Sequence, residues 1–346
     1  MNPLTILTGD NTQTLRQIPD SSVRCVVTSP PYWALRDYGI PPTDWPEVTF
    51  VPVAGLPPVT IPAMSSCLGL EQDPWAFVGH MVAVFREVKR VLADDGTCWV
   101  NMGDSYNTGV LAHATLRPKD MVGIPWRVAQ ALQADGWILR QDIIWEKPSP
   151  MPESVRDRCT KAHEYLFLLA KSPRYYWHAE AMKEPVSGGA NPRGKGLHPK
   201  VNGWATGDTP HNALEHNKPG GSYKGSIPGR NGGPGQERRS KRPRQNASFS
   251  AAVCDLVETR NKRSVWTIPS QPFPEAHFAT YPEALPRLCI LAGTQPGDTV
   301  LDPFGGSGTT GKVALELGRK AILCEINPEY VKMTEARTNT TLGLGI

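Results

Sequence analysis

Residues Thr28-Ser29-Pro30-Pro31-Tyr32 follow an apolar run, Val23 to Val27, and combine hydrogen-bond acceptors, a stiff loop and an aromatic ring. Proline fixes its own φ and disfavours helical backbone at the preceding residue, so the motif leaves its strand as a rigid loop. Ser29 and the Pro30 carbonyl can accept hydrogen bonds from a nucleobase amino group, a weak nucleophile that must be bent toward tetrahedral geometry. Tyr32 supplies a ring on which an extruded base stacks. The alternative interpretation is an ordinary Pro-Pro loop with a packed tyrosine.

A second motif, near the other end of the chain, has the pattern of a nucleotide-binding turn. Residues 299–302 form an apolar run, and the glycine-rich residues 303–308 lead from it into a helical pattern. Glycines let backbone N–H groups approach a ligand closely, and Glu325 at the end of the next apolar run is placed to hold ribose hydroxyls. Residues 306–311 also match G-x-G-x-x-G, which is typical of dinucleotide-binding domains. Only twenty-one residues follow Glu325, too few to complete such a domain, so we expect N-terminal strands to complete the sheet.

Together, the two motifs resemble those of the S-adenosylmethionine-dependent DNA amino-methyltransferases. Residues 302–308 are similar to the cofactor motif and residues 29–32 to the catalytic motif, in the circularly permuted order of the beta-type enzymes. The resemblance implies catalytic roles for Ser29, Pro30, Pro31 and Tyr32. It also places Asp10 near the adenine of the cofactor and residues 276–282 over its methionine end. The residues that the resemblance implies for cofactor binding are Asp10, Thr28, His277, Phe278, Thr280, Asp302, Pro303, Phe304, Gly305, Gly306, Ser307, Gly308 and Glu325.

The resemblance also implies the reaction. A base flipped out of double-stranded DNA would present its exocyclic amine to the methyl group of S-adenosyl-L-methionine, with no covalent enzyme intermediate. In the family, Ser before Pro-Pro is typical of enzymes that methylate cytosine N4, and Asp or Asn is typical of adenine N6 enzymes. Ser29 therefore favours cytosine N4, with adenine N6 as the alternative. Methylation of cytosine C5 is disfavoured because it needs a nucleophilic cysteine, typically in a Pro-Cys pair, which the sequence lacks.

The elements that position these motifs follow from apolar patterning, which predicts a doubly wound α/β fold. Seven strands are predicted, at 4–8, 23–28, 97–102, 138–146, 165–170, 298–302 and 320–324. Helical spacing predicts helices over 75–92 and 124–134. The resemblance implies a Rossmann-like, circularly permuted, mostly parallel sheet in which one of the two closing strands, 137–147 and 163–171, is antiparallel. Asn101, Asp104 and Glu164 are predicted to have loop or capping roles rather than catalytic ones.

Two stretches interrupt this pattern. Residues 40–66 are rich in proline and are predicted to form a loop, either over the target base or as a surface excursion. Residues 183–263 hold 13 glycines and carry 15 basic against 6 acidic residues, whereas the whole chain has a net charge of only +4. DNA attracts such segments by counterion release, so we predict a DNA target-recognition insertion over 183–265, with a solvated linker as the alternative. Its predicted DNA-binding residues are Arg238, Arg239, Lys241, Arg242 and Arg244.

Composition limits the remaining possibilities. A chain of 346 residues can bury a large core, and we expect a catalytic half at 1–180 and a cofactor half at 270–346. No apolar run is long enough to span a membrane and no signal peptide is evident, which predicts a cytoplasmic protein. The seven cysteines form no C-x-x-C pair, so no metal is expected. A cognate restriction endonuclease and a monomeric or homodimeric state are compatible with the sequence. A nicotinamide-dependent oxidoreductase and an inactive DNA-binding protein are the alternatives from other classes.

Overall fold

The computed structural model describes residues 3–107, 116–185, 259–271 and 281–343. By its contacts the chain divides into two units, residues 1–182 with 261–346, and residues 183–260. The larger unit holds both motifs, and most of the predicted insertion lies outside the described residues. No helix in the described part of the chain is long and apolar enough to cross a membrane.

The strands of the described residues include all seven that the apolar runs predict. They are, in chain order, Leu4–Thr8 (β1), Val23–Thr28 (β2), Thr43–Trp45 (β3), Val48–Phe50 (β4), Val59–Ile61 (β5), Met64–Ser66 (β6), Leu92–Met102 (β7), Ile138–Glu146 (β8), His163–Ala170 (β9), Lys183–Pro185 (β10), Thr259–Asn261 (β11), Val265–Thr267 (β12), Thr299–Asp302 (β13) and Lys320–Glu325 (β14). The α-helices are Asn11–Thr14 (α1), Pro74–Val91 (α2), Ile124–Ala134 (α3), Ala284–Gly293 (α4), Thr309–Glu316 (α5) and Pro328–Gly343 (α6).

The large sheet has the order β1-β14-β13-β2-β7-β9-β8-β12. Its two C-terminal strands lie between the two N-terminal ones, because β14 pairs in parallel with β1 and β13 pairs in parallel with β2. This is the permuted arrangement predicted from the order of the motifs. Since the strands are parallel, the loops after β2 and β13 leave the same edge of the sheet, and the two motifs are brought together there.

The antiparallel part of the sheet lies toward the edge opposite β1. Strand β9 runs antiparallel to both β7 and β8, as the resemblance implies for one closing strand. The sheet has eight strands rather than seven, because the short strand β12 adds in parallel to β8 at the edge. Strand β12 begins at Val265, the last residue of the segment predicted as an insertion, and residues 261–265 of that segment belong to the larger unit.

Helices cover both faces of the sheet. Successive side chains of a strand point to opposite faces, and on β2 Val26 packs into one buried cluster whereas Cys25 and Val27 pack into another. The Val26 cluster includes α2 and α3, and the other includes α4 and α5. Helix α2 is capped at its start, because the Asp73 carboxylate accepts the Trp75 N–H at 2.8 Å. The sheet is therefore buried on both sides and presents its strand ends to ligands.

The prediction of a loop over 40–66 is wrong. This segment forms two antiparallel pairs, β3 with β6 and β4 with β5. Val48, Phe50 and Ile61 are buried in alternation with more exposed residues, and Phe50 and Ile61 pack into the core. Trp45 stacks on the buried His80 ring at 4.2 Å between centroids. Strands of three residues are too short for the period-2 pattern to stand out between prolines.

Candidate active site

A cavity of about 780 Å³ opens at the carboxyl ends of β1, β2, β13 and β14. This is the edge at which doubly wound sheets bind ligands, and the volume is in the upper part of the range for small-molecule sites, about 300–1,000 Å³. The residues of both motifs face the same space, as the permuted order predicts. Of the predicted site residues, those lining the cavity are Asp10, Ser29, Pro30, Pro31, Tyr32, Asp302, Pro303, Phe304, Gly305, Gly306, Ser307 and Glu325.

The loop of residues 29–32 is fixed by a directional hydrogen-bond chain. Ser29 Oγ donates to Tyr32 Oη at 3.3 Å, and Tyr32 Oη donates to Glu164 Oε2 at 2.5 Å. Because the Ser29 proton points toward Tyr32, Ser29 Oγ keeps a lone pair for a donor in the cavity. Burial, with the neighbouring Glu164 carboxylate, raises the pKa of Tyr32 well above its ordinary value. Tyr32 therefore stays a neutral phenol. The ring has room because residue 103 is glycine, where a Cβ would lie 2.6 Å from Tyr32 Cε2.

Asn101 and Glu164 belong to this network, although the sequence predicts loop or capping roles for them. Asn101 Nδ2 donates to Tyr32 Oη and to Glu164 Oε2, each at 2.8 Å. The other oxygen of Glu164 pairs with Lys147 Nζ. Asp104 does cap a helix, since its carboxylate accepts the N–H groups of Gly123 and Ile124 at the start of α3. Asn101, Glu164 and Lys147 line the cavity.

Asp302 connects the strand of the catalytic motif to the glycine turn. Its carboxylate, 1% exposed, accepts Thr28 Oγ1 at 2.6 Å, Thr310 Oγ1 at 2.7 Å, Tyr281 Oη at 3.2 Å and Phe304 N–H at 3.0 Å. Burial raises the pKa of Asp302, and the four donors oppose that shift. These bonds occupy the carboxylate, so it organises the turn. Thr28, predicted to bind cofactor, is buried, and its hydroxyl holds Asp302.

Glu325 fixes the other side of the turn. Its two oxygens accept the backbone N–H groups of Gly306 and Asn327, each at 2.7 Å. Burial raises the pKa of Glu325, although both backbone bonds lower it. Each oxygen has further lone-pair capacity, and the side chain lines the cavity, which suits a ligand with paired hydroxyls.

The glycines of the turn have separate structural reasons. Gly308 has φ +81°, and a Cβ there would lie 2.6 Å from Thr334 Cγ2, so it is required for packing against α6. A Cβ on Gly306, φ +51°, would meet only the Phe304 carbonyl at 3.8 Å and otherwise open space. Gly306 thus leaves room in the cavity for a ligand close to the backbone.

Asp10, at the end of β1, is positioned by its local turn. Its Oδ1 accepts Thr12 N–H at 2.7 Å and Thr12 Oγ1 at 2.6 Å, and Thr43 Oγ1 donates to its Oδ2. Strand β3, which carries Thr43, therefore supports this wall of the cavity. The open cradle at Gly306, the acid at Glu325 and the acid at Asp10 fit a nucleoside with an adenine at one end and a ribose beside Glu325.

Several predicted site residues lie outside the described part of the chain. Those predicted to bind cofactor are His277, Phe278 and Thr280. Those predicted to bind DNA are Arg238, Arg239, Lys241, Arg242 and Arg244. Tyr281, which directly follows Thr280, is described. It lines the cavity, and its hydroxyl donates to Asp302.

Comparison with known proteins agrees with the geometry. A family model described as DNA methylase, N6_N4_Mtase, matches residues 23–336. The Type II methyltransferase M.Cfr9I of Citrobacter freundii is 37% identical over 97% of this chain and 88% of that protein. The Type II methyltransferase M.SmaI of Serratia marcescens is 35% identical over 96% of this chain and 89% of that protein.

Solved structures share the fold. The cytosine-N4-specific PvuII DNA methyltransferase aligns with a TM-score of 0.56 at 20% identity, covering 97% of this chain and 88% of that chain. The complex of M1.HpyAVI with S-adenosylmethionine aligns with a TM-score of 0.50 at 14% identity, covering 97% of this chain and 99% of that chain. At these identities the likeness is one of architecture.

Proposed function

We propose that this chain transfers the methyl group of S-adenosylmethionine to N4 of cytosine in double-stranded DNA. The chain belongs to the DNA methylase family of S-adenosylmethionine-dependent amino-methyltransferases. The observation that carries the choice of base is Ser29, which stands where the family's adenine enzymes typically have Asp or Asn. The Ser29 hydroxyl donates its hydrogen to Tyr32, so its oxygen faces the cavity as a hydrogen-bond acceptor.

Two lysines in the cavity also favour cytosine. Cytosine carries a carbonyl oxygen, O2, on the edge where adenine has only a C–H group, so a base-reading donor separates the two. Lys147 and Lys161 both line the cavity. Lys161 Nζ donates to the Asp104 carbonyl at 2.7 Å. Each ammonium group has three donors, and burial lowers the pKa of Lys161. Either ammonium group can donate to cytosine O2.

The mechanism follows from these positions. Flipping the base costs about a few kcal/mol in stacking and pairing. Ser29 Oγ and the Pro30 carbonyl accept the amine hydrogens, while the glycine turn and Glu325 hold the nucleoside of the donor. When bound, S-adenosylmethionine supplies a methyl group activated by positively charged sulfur. Holding the two reactants in place can remove about 7 to 11 kcal/mol from the barrier.

The first prediction concerns the product. DNA from cells that express the chain is expected to contain N4-methylcytosine at one sequence context, because Ser29 and the two lysines suit cytosine. Nucleoside mass spectrometry identifies the base, and methylation-sensitive sequencing gives the context. A Ser29→Ala strain is the matched control and is expected to lack the modified base. N6-methyladenine without N4-methylcytosine would leave the family assignment intact and refute the choice of base.

We further propose that the basic insertion binds the DNA. Residues 183–263 carry a net charge of +9, so the rest of the chain is net acidic, and the densest run is residues 238–244. Flexible basic segments follow phosphates by releasing counterions, and a few of their side chains reach base edges. The Type II names of the relatives also make a cognate endonuclease a reasonable partner to test, by asking whether modified DNA resists cleavage.

The second prediction tests this interface. Changing Arg238, Arg239, Lys241 and Arg242 to glutamine is expected to weaken DNA binding about uniformly across sequences. The slope of log K against log salt is negative, and each lost phosphate contact makes it less steep by about 0.9. Fluorescence anisotropy over a salt series measures both effects. The matched control removes four exposed basic side chains outside the insertion, Arg16, Arg117, Arg174 and Lys332. Equal slopes for the wild type and the insertion variant would show that this run does not bind DNA.

A further inference from the structure

The polarity of the hydrogen bonds around Tyr32 is fixed by its neighbours. Asn101 Nδ2 can only donate, and it contacts both Tyr32 Oη and Glu164 Oε2 at 2.8 Å. Tyr32 Oη thus accepts one hydrogen bond from Asn101 and another from Ser29 at 3.3 Å, and it donates its own hydrogen to Glu164 at 2.5 Å. The chain of donors runs in one direction, from the catalytic serine to a carboxylate.

We propose that Ser29, Tyr32 and Glu164 form a proton relay that removes a proton from the target amine as it is methylated. Methyl transfer to an exocyclic amine leaves the nitrogen with a positive charge and one proton too many. A base and a donor that fill the cavity together exclude water from the amine. The relay gives that proton a path inside the protein. The inference rests on methylation of an exocyclic amine and applies to cytosine N4 and adenine N6 alike.

The atoms and charges balance along this path. The amine nitrogen forms a bond to the methyl carbon as the carbon–sulfur bond breaks, and sulfur keeps the electron pair of that bond. The amine proton passes to Ser29 Oγ, the Ser29 proton passes to Tyr32 Oη, and the Tyr32 proton passes to Glu164. The products are a neutral methylated amine, a neutral thioether and a neutral Glu164 carboxylic acid.

The surroundings suit each member of the relay. The raised pKa of Tyr32 disfavours a free phenolate, so the phenol must gain one proton as it loses the other. Lys147 Nζ pairs with Glu164 on the oxygen that Tyr32 does not use, which balances the carboxylate charge in the resting enzyme. The Glu164 side chain is 14% exposed, so it can release the proton to solvent after turnover.

The test is a double-mutant cycle of Tyr32→Phe and Glu164→Gln, which keep the ring and nearly the shape of the carboxylate. Each single change is expected to lower the single-turnover methylation rate about 100-fold, the lower end for proton transfer by a positioned group. The double variant is expected to be no slower than the slower single variant, because both changes interrupt one path. The wild type is expected to show a slower rate in D₂O, and each variant is expected to lose that isotope effect.

Controls separate this path from a loss of structure or of the wider function. Tyr175→Phe and Glu316→Gln alter hydroxyl and carboxylate groups that bond Arg140 and Arg287 on the surface, and they are expected to keep the wild-type rate. Calorimetric titration with S-adenosylmethionine and thermal unfolding are expected to give wild-type values for both relay variants. The relay would be refuted if the rate loss of the double variant equalled the product of the two single losses, or if the single variants kept the wild-type rate. A solvent isotope effect that persists in the variants would also refute it. Mass spectrometry of the product reports the methylated base independently, so an adenine product would refute the proposed base alone.

Discussion

Ser29→Ala is expected to lower kcat by about 100- to 1,000-fold and to change the affinity for S-adenosylmethionine by less than about twofold. Ser29 Oγ faces the cavity with its own proton directed to Tyr32 at 3.3 Å, so it is preorganised to accept a hydrogen bond from the amine. Loss of one preorganised partner of a developing charge costs about 10²- to 10³-fold in kcat in other enzymes. The glycine turn, proposed to hold the cofactor, bonds to Asp302 and Glu325 and makes no bond to this hydroxyl.

Single-turnover kinetics with a saturating DNA duplex measure the rate, and calorimetric titration measures cofactor affinity. Ser22→Ala is a matched control, since Ser22 Oγ is exposed and bonds the Pro19 carbonyl at 2.6 Å. A wild-type rate for Ser29→Ala would remove this hydroxyl from the reaction. An equal loss of cofactor affinity would show instead that the change disturbs the loop and with it the donor site.

The parts of the structure that sequence predicted well are those with local signals. Strands such as β2 and β13 are short runs of buried apolar residues, and the parallel order follows once the motif order is read as permuted. The glycine turn is readable because φ values such as +81° at Gly308, with Thr334 2.6 Å from an added Cβ, restrict the position to glycine. The meeting of the two motifs follows from the same pairing, since β13 lies beside β2.

The parts that sequence missed depend on contacts distant in the chain. Asn101 and Glu164 bond Tyr32 across 69 and 132 residues, and each alone resembles an ordinary polar residue on a strand. Thr28 adjoins Ser29 in the chain, and no local pattern indicates that it holds Asp302, 274 residues away. One feature of the sequence does point to Glu164. It is a carboxylate at the start of an apolar strand, and that strand is predicted to close the sheet next to the strand of Asn101.

Glu325→Ala is expected to weaken S-adenosylmethionine binding by about 100-fold, which corresponds to about 2.7 kcal/mol. The change removes the acceptors for Gly306 and Asn327 N–H, each bonded at 2.7 Å, and the carboxylate available to the ribose. Hydrogen bonds to a charged group contribute about 1.5–3 kcal/mol each, so the loss is near that of one or two such bonds. Calorimetric titration measures the affinity, and thermal unfolding reports whether the turn still folds.

Glu325→Gln sharpens the same prediction. An amide keeps one acceptor but turns an NH₂ group toward a backbone N–H donor, so affinity is expected to fall between the wild type and Glu325→Ala. Burial raises the pKa of Glu325, and the ionised form is the better acceptor. Wild-type affinity is therefore expected to be full above this raised pKa and to fall as pH decreases through it, at a higher pH than for an ordinary glutamate. Glu325→Gln lacks the titrating group and is expected to lose that dependence, whereas an identical pH profile in both proteins would assign it to another residue.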